Sequence, residues 1–289
     1  MGLFFSSDRF TRPGPGVRPD APRKKGVARL AEIMGRDMWN FFRAGFLAFL
    51  GCLPFIIGMF FAVETHALLF MLLAGIIGGL IAGPELSAMA DTVLRSLRDE
   101  PGYWWETYRR VWKRNARESL VPGMLTGLVL SMQIFTLFHM SVISAGIVTW
   151  VLLILSFVVT LGLESYIWPQ IALLDLPLYG ILKNSLLLFL GYLPRSLGAI
   201  AIKAVYWGAI LLFFPLTTII LPFTNFWLPM LPALLCIYQP LNKCFTIEST
   251  INKMREDELN AALAKDNEPL PEDPTEKAEE STDASSDVQ

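Results

Sequence analysis

Apolar residues arrive in runs of about twenty, separated by short charged stretches, and this spacing predicts a series of membrane-crossing helices. Residues 44–63 contain no charged side chain. A helix of that length rises about 30 Å, the thickness of bilayer hydrocarbon. Trp39, Phe41 and Phe42 precede it beside Arg36 and Arg43, as interfacial anchors do. Pro54 falls inside it and predicts a kink. Glu64, Thr65 and His66 leave room only for a tight hairpin, so residues 67–90 form the second span. On that span Gly75, Gly79 and Gly83 recur every fourth residue. Such spacing strips one helix face of side chains and admits close helix packing, here expected within the chain rather than with a second copy.

The pattern is organised by one long charged interruption, residues 83–117, with seven basic side chains: Arg95, Arg98, Arg109, Arg110, Lys113, Arg114 and Arg117. The excess of basic residues predicts a cytoplasmic location. Within it, residues 101–118 read as an amphipathic helix lying on the membrane. Trp105, Tyr108 and Trp112 would anchor one face, with Arg109, Arg110, Lys113 and Arg117 around the other. Asp99 and Glu100 would stand at its start, where the helix dipole favours acids.

No Asp, Glu, Lys or Arg occurs between Glu118 and Glu164. A turn at His139, Met140 and Ser141 divides this stretch into spans over 120–138 and 144–166. After Asp175 and Pro177, residues 177–192 predict a second interfacial helix, too short to cross and carrying Lys183. A fifth span follows over 198–221 with Lys203 near its inner end, then a proline-rich outer turn marked by Trp227, then a short sixth span over 229–244.

The fold class is therefore all-α: a polytopic membrane protein with about six transmembrane helices and two cytoplasmic interfacial helices. Residues 1–38 read as a basic Pro/Gly-rich cytoplasmic arm without a signal-peptide core. Residues 39–253 form the membrane domain, and 254–289 a disordered acidic cytoplasmic tail.

Composition sharpens this picture. Hydrophobic residues make up 53% and charged ones 17%, against about 25% charged in ordinary globular chains. The net charge of −2 hides −10 over residues 256–289 and +8 over the remainder. Placing both termini inside assigns all 24 Lys and Arg to the cytoplasmic side.

Candidate chemistry is sparse. Cys52, Cys236 and Cys244 share no metal-binding or redox spacing, and His66 and His139 read as polar helix ends. Neither a cofactor nor a metal set is expected. Glu85, Glu164 and Lys203, near the inner ends of their spans, are the ionisable candidates. Their common depth suggests a cytoplasmic-side cluster with Asp91 or Asp175, set against separate interfacial residues that pair or snorkel. Nucleophile motifs, zinc-hydrolase motifs and phosphate loops do not occur, so the chain is expected not to be an enzyme. The aromatic-basic segment suits lipid headgroups better than nucleic acid.

Gly83 and Pro84, the run VLRSLRDEPGYWWETYRRVWKRNARES over 93–119, and LKNSLLLFLGYLPRSL over 182–197 resemble the YesL family of bacterial integral membrane proteins. The opening Met1, Gly2, Leu3 and Phe4 is similar too. The resemblance covers roughly 39–253 and leaves out the basic arm and acidic tail. It implies residence in a bacterial cell membrane and an accessory role in a membrane transport complex for carbohydrate uptake, with no functional residue supplied. The alternative is a small-solute transporter or channel, and the oligomeric state stays open.

Overall fold

The computed structural model describes residues 23–100, 102–140 and 146–266; the rest of the arm and the distal tail lie outside them. The described residues are helical and contain no strand. Among the described residues the α-helices up to residue 245 are α1 (Gly26–Thr65), α2 (Leu68–Arg98), α3 (Trp104–Phe138), α4 (Ile147–Leu173), α5 (Leu178–Gly191), α6 (Leu193–Leu212), α7 (Leu221–Thr224) and α8 (Trp227–Phe245). Six segments are long and apolar enough to cross a membrane: α1, α2, α3, α4, α6 and Leu221–Phe245. The chain is thus an all-α multi-pass membrane protein. It divides into two units, residues up to Pro240 and from Leu241 onward.

Several boundaries differ from expectation. α1 starts at Gly26, so the second half of the anticipated 1–38 arm is already helix. The interruption at 83–117 is mostly helix too. α2 runs to Arg98, and α3 begins at Trp104 and continues unbroken into the anticipated 120–138 span. The aromatic-basic helix at 101–118 is therefore the first four turns of a membrane helix rather than a separate surface element. The 101–118 window had marked it as separate through its charge density, yet Pro122 and Gly123 do not stop the helix. α6 ends at Leu212 rather than 221, because Phe213–Pro215 leave helical geometry and Pro215 cannot donate an amide. α5 matches its anticipated bounds, buries Ile181, Ser185, Leu188 and Phe189, and leaves Lys183 exposed.

The α2/α3 contact is the tightest in the bundle. A π turn over Ala74–Gly78 widens α2 locally. A side chain on Gly75 would meet Ser131 Oγ at 2.5 Å and Leu128 Cα at 2.8 Å. Gly79 lies against the Gly123 backbone, and Gly83 against Ser119 and Gly123. The glycine stripe therefore faces a matching stripe on α3, Gly123 and Gly127, within the same chain. Gly78 is equally closed against Phe55 of α1, at 2.6 Å.

At the far end of these helices His66 Nδ1 and His139 Nε2 are 2.6 Å apart, and His139 Nδ1 lies 2.8 Å from the Phe135 carbonyl. A carbonyl only accepts, so His139 is protonated at Nδ1 and its Nε2 accepts from His66 Nδ1. The pair pins the α1–α2 turn to the end of α3.

The proline-rich stretch before α8 occupies an unexpected place. Phe223 stacks on Phe42 at 5.9 Å and Trp227 on Phe41 at 5.9 Å. Trp227, anticipated at the outer interface, instead lies beside the aromatic, arginine-flanked stretch of α1 at 36–43. Hydropathy places turns by counting apolar runs, and that count does not register this aromatic packing. Phe41 is fully buried rather than lodged among headgroups.

The second unit contains α9 (Ile247–Asp266). Thr246 adopts φ 49°, breaking the helix before it, and Asn242 Oδ1 accepts the Glu248 amide at 2.9 Å. Residues 254–266 are therefore helical, although the 254–289 tail was expected to be disordered on composition.

Candidate functional site

The most elaborated polar region lies where α1, the end of α2 and the start of α3 meet, at the end rich in arginine. A helix leaves its last carbonyls without partners, and α2 meets that deficit with two arginines of α1 and one just before it. Arg36 donates to Ser96 O at 2.8 Å, Arg29 to Leu97 O at 3.1 Å and Arg23 to Arg98 O at 3.2 Å. Positive charge at a helix C-terminus also complements its dipole. Asp99 caps α2 with φ 59° and gathers the same side chains: Arg36 at 2.5 Å, Arg29 at 2.6 Å and Arg23 at 3.1 Å. Asp99 and Glu100 thus terminate α2 rather than start the next helix.

A second chain of ion pairs runs along α2. Asp91 accepts from Arg95 at 2.7 Å, Arg95 reaches Glu100 at 3.4 Å, and Arg98 grips Glu100 through two bonds of 2.9 and 3.0 Å. Partial burial pushes the Asp99 carboxyl up, but the hydrogen bonds from Arg36 and Arg29 outweigh it and hold the group below the usual carboxylate range.

These pairs wall a chamber of about 320 Å³ bounded by Arg36, Asp37, Asn40, Arg95, Asp99 and Glu100, with Trp104, Thr107 and Tyr108 opposite. The Trp104 Nε1 is buried without a partner. Arg43 stacks over Trp104 at 5.7 Å and over Trp39 at 5.2 Å.

The three anticipated ionisable residues do not form one cluster with Asp91 or Asp175. Glu85 receives Tyr108 Oη at 2.5 Å and Trp112 Nε1 at 2.9 Å, and has no cation at ion-pair distance among the described residues. Tyr108 and Trp112, expected as interfacial anchors, thus clasp a carboxylate of α2, and Tyr108 is only 4% exposed. Trp105 is exposed, as are Arg109, Arg110 and Lys113. Arg110 pairs with Glu106 at 3.1 Å. Lys203 and Glu164 lie 4.0 Å apart beside a void of about 10 Å³ between α4, α6 and α8. Trp168 Nε1 donates to the same Glu164 at 3.2 Å. Asp91 belongs to Arg95, and Asp175 faces Glu118.

Sequence reading passed over Arg29 and took Arg36 only as a flank of the interfacial aromatics. Their seven-residue spacing places both on one face of α1, and that was the available signal. Comparison with family models, with curated proteins and with solved structures finds no match.

Proposed function

We propose that the chain is a non-enzymatic accessory or regulatory partner of a carbohydrate uptake system in the bacterial cell membrane, related to the YesL family, with its arginine-rich end in the cytoplasm. The observation that carries this reading is the chamber. It opens at one end of the bundle, and its wall is a set of ion pairs tying three helices together. A small polar molecule seated there would contact α1, α2 and α3 at once, which is the geometry of a sensing site. The tight α2/α3 contact beneath it, glycine on glycine, favours a rigid body that signals by docking.

A transporter is the second reading, favoured by one feature: the buried Lys203 and half-buried Glu164 beside their void. An ion pair of this kind in an apolar setting is costly to maintain and suits a functional role. Two experiments separate the readings. Extraction of the native membrane in mild detergent is expected to recover the protein with a defined membrane partner, and recovery as a lone monomer overturns the accessory role. In liposomes no solute flux is expected; flux abolished by Glu164→Gln or Lys203→Met establishes the transporter.

A further inference from the structure

The pair Glu164 and Lys203 lies deeper than its anticipated place near the inner ends of the spans. Glu164 is nine residues from the end of α4 and Lys203 ten from the start of α6. That is about 14–15 Å of helix rise, close to half of the roughly 30 Å of bilayer hydrocarbon. Ionised groups at such depth are costly and demand a partner. Lys203 is only 7% exposed, and its ammonium makes no hydrogen bond among the described residues.

The partner is present but does not touch. Trp168 Nε1 donates to Glu164 Oε1 at 3.2 Å, which leaves Oε2 to face the ammonium across 4.0 Å. That distance is too long for a hydrogen bond. Neither atom is one of the sealed, unpartnered polar atoms of the interior, so a water-sized molecule can reach both. The void of about 10 Å³ beside them has a wall that is otherwise mostly apolar, with Pro169, Met230 and Leu234. A space of this size holds about one water, and two hydrogen bonds of about 2.8 Å meeting at its oxygen close the 4.0 Å gap.

The same dimensions exclude larger occupants. Small-molecule sites take about 300–1,000 Å³, so a sugar does not fit. A metal cation needs several oxygen ligands, whereas Glu164 is the one carboxylate on this wall and an ammonium already faces it. From the neighbouring helices, α1 brings Cys52 within electrostatic reach of Glu164, and α8 brings only apolar side chains to the void. Lys203 is therefore the one cation on the wall to balance the carboxylate.

We infer that one water bridges Glu164 and Lys203, and that Glu164 is a one-proton site whose occupancy Lys203 sets. With the ammonium in place the carboxylate keeps its charge. When that positive charge is lost, the carboxylate would be an uncompensated ion in an apolar setting, so it takes one proton from solvent, Oε2 gains an O–H and the site stays neutral. This rests on the site of the transporter reading but not on transport, and it makes the proton rather than a sugar the ligand there.

The test uses the full-length protein in lipid nanodiscs. A high-resolution density map is expected to show one solvent peak within hydrogen-bond distance of both Lys203 Nζ and Glu164 Oε2. Direct contact of the two atoms with nothing between them overturns the bridge. In infrared spectra at pH 7, Lys203→Met is expected to gain the absorption of one protonated carboxyl per chain. Wild type and Lys203→Arg are expected to lack it, and Glu164→Gln added to Lys203→Met to abolish it. Should Lys203→Met fail to fold, Lys203→Gln takes its place with the same expectation, since it too removes the charge. The absorption already present in wild type, or missing from the neutral variant, overturns the proton site. Solute flux in liposomes is scored separately: the absorption without flux sinks the transporter reading alone, and flux abolished by Glu164→Gln without the absorption sinks the proton site alone.

Discussion

Asp99 shows how one side chain can serve two ends at once. Its φ of 59° closes α2 in a conformation that Asp and Asn tolerate better than most residues, and its carboxylate collects three arginines. Asp99→Asn keeps the first property and removes the second, so it isolates the charge. Because the folded carboxyl titrates below its unfolded value of about 3.9, its contribution to stability is present above that pH and fades as pH falls through the folded value. Thermal unfolding in detergent is therefore expected to show wild type above Asp99→Asn at pH 7, with the gap closing below about pH 4. A gap that stayed constant down to pH 3 would contradict the ion-pair account. The carboxylate is one-third exposed, so the effect is screened and should shrink in high salt. Residue identity alone hid this arrangement. Asp99 and Glu100 look the same in sequence whether they close one helix or open the next. The choice depends on Arg29 and Arg36, more than sixty residues earlier. The two histidines were hidden for a related reason: each reads as a solitary polar helix end, and only the folded bundle brings their rings together.

At the scale of elements, the apolar runs made the helices legible and the charges misled. Helices α1, α4 and α5 were visible because hydrophobic length is dictated by the bilayer, which acts on the chain locally. The break anticipated between 101–118 and 120–138 was not real, since a helix that leaves the membrane changes polarity without changing conformation. The glycine repeat was legible as a packing face, whereas its partner, the matching Gly123 and Gly127 of α3, required three dimensions. That contact gives a direct prediction. A Cβ on Gly79 would stand 2.9 Å from the Gly123 carbonyl carbon and 3.1 Å from Met124 Cα, both backbone atoms that cannot rotate away. Gly79→Ala is expected to cost about 1–3 kcal/mol through overpacking. Gly208→Ala, where nothing lies within 4 Å, should be neutral or slightly stabilising through helix propensity. Equal melting temperatures for the two variants would mean that the α2/α3 approach is looser than described.

For the molecule as a whole, hydropathy and packing make opposite demands around α6 and α8. Counting apolar runs sends the chain away from the basic end along α6 and brings it back along α8, with the proline-rich turn at the far side. Packing puts that turn beside Phe41 and Phe42 of α1. His66, which marks the far end of the same helix, lies more than twenty residues further on, about 30 Å along the axis. One turn cannot occupy both places. Because Asn225 and Trp227 also close over Gly45, three residues of the turn, Phe223, Asn225 and Trp227, hold it near the arginine-rich end. Single cysteines at Leu216 and Lys113, introduced after Cys52, Cys236 and Cys244 are replaced by serine, would read this directly with a membrane-impermeant maleimide. Leu216 is 73% exposed and Lys113 is exposed, so neither thiol is covered by the protein itself. The packing requires both to be labelled from the same side of sealed vesicles, and a third cysteine in place of Ile147, 80% exposed at the start of α4, from the opposite side. If Leu216→Cys labels with Ile147→Cys, the aromatic contacts to α1 do not survive in the bilayer, and the alternation inferred from hydropathy governs this half of the chain. If it labels with Lys113→Cys, lipid-facing apolarity in α6 and α8 is satisfied without carrying the chain to the far side and back, and the basic end holds the arginine frame, the chamber and the turn together.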